Sequence, residues 1–239
     1  MAGGRLPSLR YLAQRECGRV TVVRICVVCE GQTEVEFVKT TLAPYFSSHG
    51  IWVHPSILRA PSGRHRGGRV SIERLVNFIA HEYHDAERLT TLVDFYGFED
   101  RSGRNPEELE TAIRQALVEK IGEDAQRLVL PYLQVHEFEA LLFSDPSAFE
   151  WVLDEWNEKA YQRLLAVRQG FNTPEEINDR PETAPSKRIE QILRSYSKPE
   201  HGPIIAEAIG IERMRQECPR FNRWIEDLRA WGNDGKDRP

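Results

Sequence analysis

Short apolar runs alternate with helical patterns through the first half of the chain. Val20–Cys29 is nearly continuous in valine, isoleucine and cysteine, as expected of a strand buried on both faces of a parallel sheet. Further strands are predicted at Ile51–Leu58, Leu89–Asp94 and Arg127–Val135. In the last of these, Pro131 indicates a bulge or an edge position, because proline has no N–H to donate to a neighbouring strand.

Amphipathic helices are predicted between these strands. The first begins at Glu34 and ends before Gly50, the second spans Ser71–Glu87 with its serine as N-cap, and the third spans Pro106–Ile121. The resulting order β-α-β-α-β-α-β predicts an α/β fold, in which helices flank a mostly parallel sheet.

The pattern changes at His136, after which helices separated by proline turns replace strands. A short helix is predicted in HEFEALLF, and a second opens at Pro146. The last helix, Pro219–Trp231, carries an aromatic stripe that is typical of core, with an interface as the alternative. Further helix starts are predicted at Pro174, Pro185 and Pro203. We therefore expect a loose extension (1–19), an α/β core (20–145), a helical extension packed on it (146–231) and a disordered tail (232–239).

Composition restricts the class of protein. The chain has 239 residues, is 40% hydrophobic and carries a net charge of −5, which argues against nucleic-acid binding through overall attraction. No apolar run approaches the ~18 residues of a membrane span. Four cysteines are too few for a secreted disulfide framework. Cys26 and Cys29 form C-x-x-C, but positions three apart in a strand face opposite ways, which favours buried thiols over a zinc or redox site. A cytoplasmic location is expected.

Two acidic residues stand where buried strands end. Glu30 follows the first strand and Asp94 closes the third. Neighbouring parallel strands lie about 4.8 Å apart, and carboxylates held that close repel unless a proton or cation lies between them. Mg²⁺, with Mn²⁺ as substitute, suits such a site. The alternative is that both acids are solvated or cap the following helices.

The segment His136–Glu139 offers further groups. It does not match the H-E-x-x-H zinc motif, because position 140 is alanine. If the segment extends the fourth strand, Glu137 and Glu139 face one side and His136 the other. Both glutamates are candidate metal ligands, with Glu137 favoured. His136 is either an acid–base or phosphate contact, or a packed, hydrogen-bonded side chain.

Basic residues indicate where phosphates would bind. A glycine-rich loop contains Arg59, Arg64, Arg66 and Arg69, and arginine pairs with phosphate through two parallel hydrogen bonds. Near a later helix start, Lys187 and Arg188 could add a second phosphate contact, or the lysine could stabilise transition-state charge. The alternative for the loop is a solvated, mobile segment.

Five short motifs follow one another along the chain: CEGQTE (Cys29–Glu34), VDFYGF (Val93–Phe98), VHEFEALLFSD (Val135–Asp145), APSKRI (Ala184–Ile189) and CPRFNRWIEDL (Cys218–Leu228). E-G-x-T-E after an apolar strand, with a later apolar strand that ends in Asp, resembles the TOPRIM fold of topoisomerases, primases and overcoming-lysogenization-type nucleases. The five motifs together resemble more closely a bacterial TOPRIM-like family labelled as of unknown function, and this likeness covers about Val20 to Trp231.

The resemblance implies Mg²⁺-dependent hydrolysis of DNA or RNA, often in phage defence beside an ATPase partner, and a homodimer is common among related nucleases. Glu30 and Asp94 would hold the metal, and Glu34 or His136 would orient the attacking water. One departure stands out: the usual second motif is Asp-x-Asp, but Tyr96 occupies the second position. A non-catalytic partner of an ATPase is therefore the rival interpretation, and phosphoryl or nucleotidyl transfer would use the same site.

Overall fold

A computed structural model describes residues 22–58, 70–84, 86–99, 101–152, 154–178 and 181–234. The predicted N-terminal extension (1–19) and the end of the predicted tail lie outside these ranges. Residues 232–234, which were expected to belong to the tail, instead continue the last helix to Asp234. Among the described residues, no helix is both long enough and apolar enough to cross a membrane.

The centre of the molecule is a sheet in which every strand pairing is parallel, as the sequence predicts. The strand order is β2-β1-β3-β4, and β5 also pairs with β3. Each residue of β3 is buried, and in β1 only Arg24 is exposed, which explains their apolar sequences. The strands are β1 (Val23–Cys29), β2 (Ile51–Ile57), β3 (Arg88–Asp94), β4 (Val129–Leu130) and β5 (Leu133–Gln134).

The predicted fourth strand, Arg127–Val135, is broken into β4 and β5, and Arg127 lies in a one-turn helix before them. Pro131 lies at the break, because it cannot donate a backbone hydrogen bond. The Thr91 hydroxyl spans the gap, accepting from the Tyr132 N–H at 2.8 Å and donating to its carbonyl at 2.6 Å. The Thr91 side chain thus provides hydrogen bonds where the two backbones do not pair.

The helices of the α/β region follow the predicted pattern with shorter bounds. Ser71 caps its helix by accepting from the Arg74 N–H, and Asn105 and Glu108 form a reciprocal capping box. Gly50 has a φ of 75°, a conformation that favours glycine. The helices are α1 (Gln32–Phe37), continued by a π-helical turn (Val38–Leu42) into α2 (Ala43–Ser47), then α3 (Ile72–Glu82), α4 (Pro106–Ile121) and α5 (Ala125–Leu128).

The C-terminal region is helical, and within the described residues it contains no strand after Gln134. Pro203 lies inside a helix rather than at its start, which corrects the prediction. Short 3-10 helices precede and separate the longer ones: Phe138–Ser144, Pro146–Trp151, Pro174–Glu176 and Pro181–Thr183. The α-helices are α6 (Glu158–Gln169), α7 (Pro185–Ile192), α8 (Lys198–Ile209), α9 (Ile211–Glu217) and α10 (Pro219–Asp234).

Two apolar cores cover the two faces of the sheet. On one face, Cys29 and alternate residues of β1 pack with α1, α8 and α10; on the other, Cys26 packs with α3 and α4. The two thiols are therefore buried on opposite faces, as predicted for this C-x-x-C pair. The aromatic stripe of α10 is core: Trp224 stacks on Tyr132 at 4.5 Å and donates to the Thr90 hydroxyl. The helical extension thus shares one core with the sheet.

Candidate functional site

The two strand-end acids are neighbours at the carboxyl edge of the sheet. In the register of β1 and β3, Cys29 pairs with Leu92; Glu30 is the next residue after this pair on β1, and Asp94 is the second residue after it on β3. The Asp94 N–H donates to Glu30 Oε2 at 3.1 Å. Parallel strands present their carboxyl ends on one edge, which is where open α/β sheets place ligands.

The turn after β3 presses directly on Glu30. Phe95–Gly97 forms one 3-10 turn, and a Cβ built on Gly97 would lie 2.9 Å from Glu30 Oε1 and 3.1 Å from Oε2. Side-chain atoms cannot approach that closely, so only glycine leaves this space for the carboxylate. The turn therefore helps to fix where Glu30 points.

Glu34 joins the site from the first turn of α1. Its Oε2 accepts the Gly31 N–H at 3.0 Å, which satisfies one of the free donors at the helix start. The side chain is nearly fully buried, and its other oxygen, Oε1, faces Lys198 at 3.9 Å. One carboxylate thus both caps the helix and contributes charge to the site.

The two glutamates after β5 occupy different positions. The chain is extended at Glu137 and then enters the 3-10 helix Phe138–Ser144. Glu139 is completely buried and lies beside Lys198, with the Tyr196 hydroxyl donating to its Oε1 at 3.3 Å. Glu137, the favoured ligand in the sequence-based interpretation, instead accepts the Ser186 N–H at the start of α7 at 3.1 Å.

Lys198, which the sequence did not indicate as a site residue, stands among these acids. Its Nζ lies 3.1 Å from Asp94 Oδ2, 3.0 Å from Glu139 Oε2 and 3.9 Å from Glu34 Oε1. It is the first residue of α8, where a positive charge is unfavourable to the helix dipole. A lysine at a helix start is the feature of the sequence that could have indicated Lys198 as a site residue. A third of the side chain (33%) remains exposed, so the site opens to solvent.

The electrostatics of the site show an excess of negative charge. Burial and the charge of Glu34 raise the pKa of Glu30 to about 7. Burial raises the pKa of Asp94 well above its usual value and also raises that of Glu139, although Lys198 opposes both shifts. Burial alone would lower the pKa of Lys198, but Asp94, Glu139 and Glu34 outweigh it, so the net shift is upward.

These residues fit a hard divalent cation. Asp94, Glu139 and Glu34 surround the Lys198 ammonium, and the charges of Lys198 and Arg74 both act on Glu30. Asp94 Oδ1 is buried without a hydrogen-bond partner. Within the described ranges, no three His, Cys, Asp or Glu side chains form a ready metal cluster. Mg²⁺ does not require one, since one or two carboxylates completed by water and phosphate oxygens are its usual ligands. Glu30 and Asp94 are the pair that could hold it.

The remaining site candidates lie around this centre. His136 is half-buried in a left-handed conformation (φ 64°), with its ring centroid 6.0 Å from that of Tyr96, and burial lowers its pKa. Lys187 is exposed and pairs with Glu190 at 2.7 Å. Arg188 donates to the Thr183 carbonyl and lies over the Phe171 ring. The loop arginines Arg59, Arg64, Arg66 and Arg69 lie outside the described residues.

Comparison with known proteins identifies the family. Residues 29–229 match the model of a family described as a domain of unknown function, DUF4276. The chain belongs to this family. The match spans the whole site, from the residue before Glu30 to beyond Lys198. No curated protein matches the chain.

Among solved structures, the chain is similar to the C-terminal region of the Burkholderia pseudomallei OLD protein. The two share 13% identity with a TM-score of 0.44, and the alignment covers 87% of this chain and 98% of the other.

Proposed function

We propose that the protein is a TOPRIM-like, divalent-metal-dependent nuclease that hydrolyses phosphodiester bonds of DNA or RNA. One observation carries this proposal: Glu30 and Asp94 meet at adjacent strand ends, and the buried Asp94 Oδ1 has no partner in a pocket that already holds four acids. Carboxylates this close repel one another unless a proton or a cation lies between them. A divalent cation and a phosphodiester bound to it would complete the site.

Glu30 and Asp94 would hold Mg²⁺ or Mn²⁺. Behind them, Glu139 would balance the positive charge of Lys198. The bound metal would supply Lewis-acid activation of water and of the phosphoryl oxygen. Asp94 presents Oδ1 for this role, because its Oδ2 is already paired with Lys198.

Lys198 and Glu34 have distinct roles beside that metal. The Lys198 ammonium stays charged among its carboxylates and stabilises the negative charge that develops on the phosphoryl or leaving oxygen. Glu34 uses one oxygen for its helix cap, which leaves Oε1 to accept a hydrogen bond from the attacking water. Lys187, exposed at the start of α7, binds a neighbouring phosphate, and Arg188 supports that helix.

The test is cleavage of labelled single- and double-stranded DNA and RNA with Mg²⁺ or Mn²⁺, and with chelator. Glu30→Gln, Asp94→Asn and Lys198→Met are each expected to reduce the rate by roughly 10²-fold or more, because each removes charge from the transition-state environment. Glu158→Gln, on the exposed first turn of α6, is the matched control and should cleave normally. Full cleavage by Glu30→Gln and Asp94→Asn would overturn the proposal.

A role in phage defence with an ATPase partner is proposed from the motif resemblance, as is a homodimer. Cleavage measured with and without a co-expressed ATPase of the kind that accompanies related nucleases tests the first. Sedimentation of the purified chain tests the second. A rate that the ATPase does not change would place the activity in this chain alone.

One observation favours a second function, that of a non-catalytic partner of such an ATPase. Lys198 already pairs with Asp94 and Glu139, so the pocket is partly neutralised by the protein itself. Calorimetric titration with Mn²⁺ distinguishes these two functions. Mn²⁺ binding that is lost in Asp94→Asn supports the nuclease. No binding at millimolar Mn²⁺ supports the non-catalytic partner.

A further inference from the structure

The residues that follow Asp94 place an aromatic ring beside the catalytic pocket. Phe95, Tyr96 and Gly97 form the turn that presses on Glu30. Phe95 packs against the core between the sheet and α3, and Phe98 is buried in it. Tyr96 belongs to neither core, and its side chain is only partly buried. Its ring therefore does not serve to fill the protein interior.

A cation covers this ring. The guanidinium carbon of Arg101 lies 5.0 Å from the Tyr96 centroid and 5.7 Å from that of Phe95. Among the described residues, no carboxylate lies within 4.0 Å of this guanidinium. Arg101 is placed by a tight turn, in which Ser102 and Gly103 both have positive φ and the Arg104 N–H donates to its carbonyl. The arginine thus keeps its charge available to a phosphate.

Tyr96 is also held in place from the end of the neighbouring strand β5. Its N–H donates to the His136 carbonyl at 3.2 Å, and the His136 ring lies at a centroid distance of 6.0 Å and an angle of 53°. His136 takes a left-handed conformation that side chains rarely adopt. The chain accepts this conformation where it positions Tyr96, a pattern typical of functional sites.

From this arrangement we infer that Tyr96 and Arg101 form a stacking subsite for an unpaired nucleobase next to the scissile phosphate. The inference rests on the proposed nuclease function and names its substrate class: single-stranded or looped nucleic acid. A base stacks on an aromatic ring through its face, and within a duplex both faces are covered by neighbouring bases. Because Arg101 covers one face of the Tyr96 ring, the base stacks on the other face, and the guanidinium pairs with the adjoining phosphate.

Binding to oligonucleotides by the Asp94→Asn variant, measured by fluorescence anisotropy without metal, tests the subsite independently of cleavage. Three probes are compared: single-stranded oligo-deoxythymidine, a blunt duplex, and a fully abasic strand of equal length. Tyr96→Ala should weaken binding of the first probe about 5- to 100-fold, the range seen for loss of one stacked base. It should leave binding of the abasic strand within about twofold, because that strand has no base to stack.

Two matched variants separate stacking from folding. Tyr96→Phe keeps the ring and should bind like the parent, whereas Arg101→Gln should weaken binding and flatten its salt dependence. Tyr161→Ala removes another tyrosine that lies outside both cores, where it packs on Trp156. It should bind all three probes normally.

The outcomes distinguish this inference from the nuclease proposal. Equal loss on all three probes, or no loss with Tyr96→Ala, overturns the subsite even if the wild-type chain cleaves DNA or RNA. Selective loss on the single strand supports the subsite even if no cleavage is found. Absence of binding to every probe overturns the subsite, and cleavage by the wild-type chain with metal then decides the nuclease proposal separately.

Discussion

The absence of a side chain at position 97 decides where Glu30 stands. An alanine Cβ there would lie 2.9 Å from Glu30 Oε1, so the carboxylate would have to shift from its present position. The backbone at Gly97 is not in the left-handed region, and the displaced group is the end of a flexible chain. Alanine should therefore change the site far more than the fold.

We expect Gly97→Ala to reduce metal-dependent cleavage by roughly 10- to 100-fold, as small misplacements of reacting groups do, while the melting temperature changes little. Gly170→Ala, at the end of α6, has ordinary space and should leave both quantities unchanged. Initial cleavage rates and melting temperatures of the two variants test this prediction. A Gly97→Ala protein with the full cleavage rate would show that the position of Glu30 does not matter.

At the scale of elements, the strands followed from the sequence because a buried parallel strand has a continuous apolar run. The same logic placed Glu30 and Asp94, since strand ends gather on one edge of the sheet. The position of Lys198 could not be predicted in this way, because it depends on how α8 packs against α1. The sequence also could not show that Glu139 lies beside Lys198 while Glu137 contacts α7, because no pattern indicates that the chain leaves the strand at Glu137 and enters a 3-10 helix.

The break between β4 and β5 depends on one hydroxyl. Thr91→Val keeps the shape of the side chain but leaves the Tyr132 N–H and carbonyl without the partner they share in the buried interior. Unsatisfied buried groups cost about 1–3 kcal/mol each, so losing both partners should lower the free energy of unfolding by roughly 2–6 kcal/mol. Urea denaturation measures this loss.

Thr111→Val on the exposed face of α4 is the control for that measurement, because its hydroxyl bonds only to a helix carbonyl. Its effect should stay within about 0.5 kcal/mol. Equal effects of the two substitutions would mean that the strand break is not supported by Thr91. The segment that carries Glu139 begins just after this break, so Thr91→Val should also slow cleavage.

At the scale of the whole molecule, the acidic pocket ties stability to pH and metal. Without metal, the pKa of Glu30 in the folded chain is about 7, against 4.5 for the ordinary group. Between these values the folded state binds more protons than the unfolded state, so the free energy of unfolding falls as pH rises. Burial shifts the pKa of Asp94 and Glu139 in the same direction, which steepens the fall.

With chelator present, the wild-type chain should therefore be less stable at about pH 7.5 than at about pH 5, with Glu30 accounting for at most about 3 kcal/mol of the difference. Glu30→Gln cannot ionise, so its unfolding free energy should depend less on pH. Adding Mg²⁺ at the higher pH should restore stability to the wild-type chain by mass action and not to Asp94→Asn. Urea denaturation of the three proteins at both pH values measures each effect. Two results would contradict this prediction: a wild-type chain that gains stability as pH rises, or a Glu30→Gln chain whose stability depends on pH as the wild type's does. Either would show that ionisation of Glu30 does not destabilise the folded state. The case for a cation at Glu30 and Asp94 would then lose its electrostatic basis.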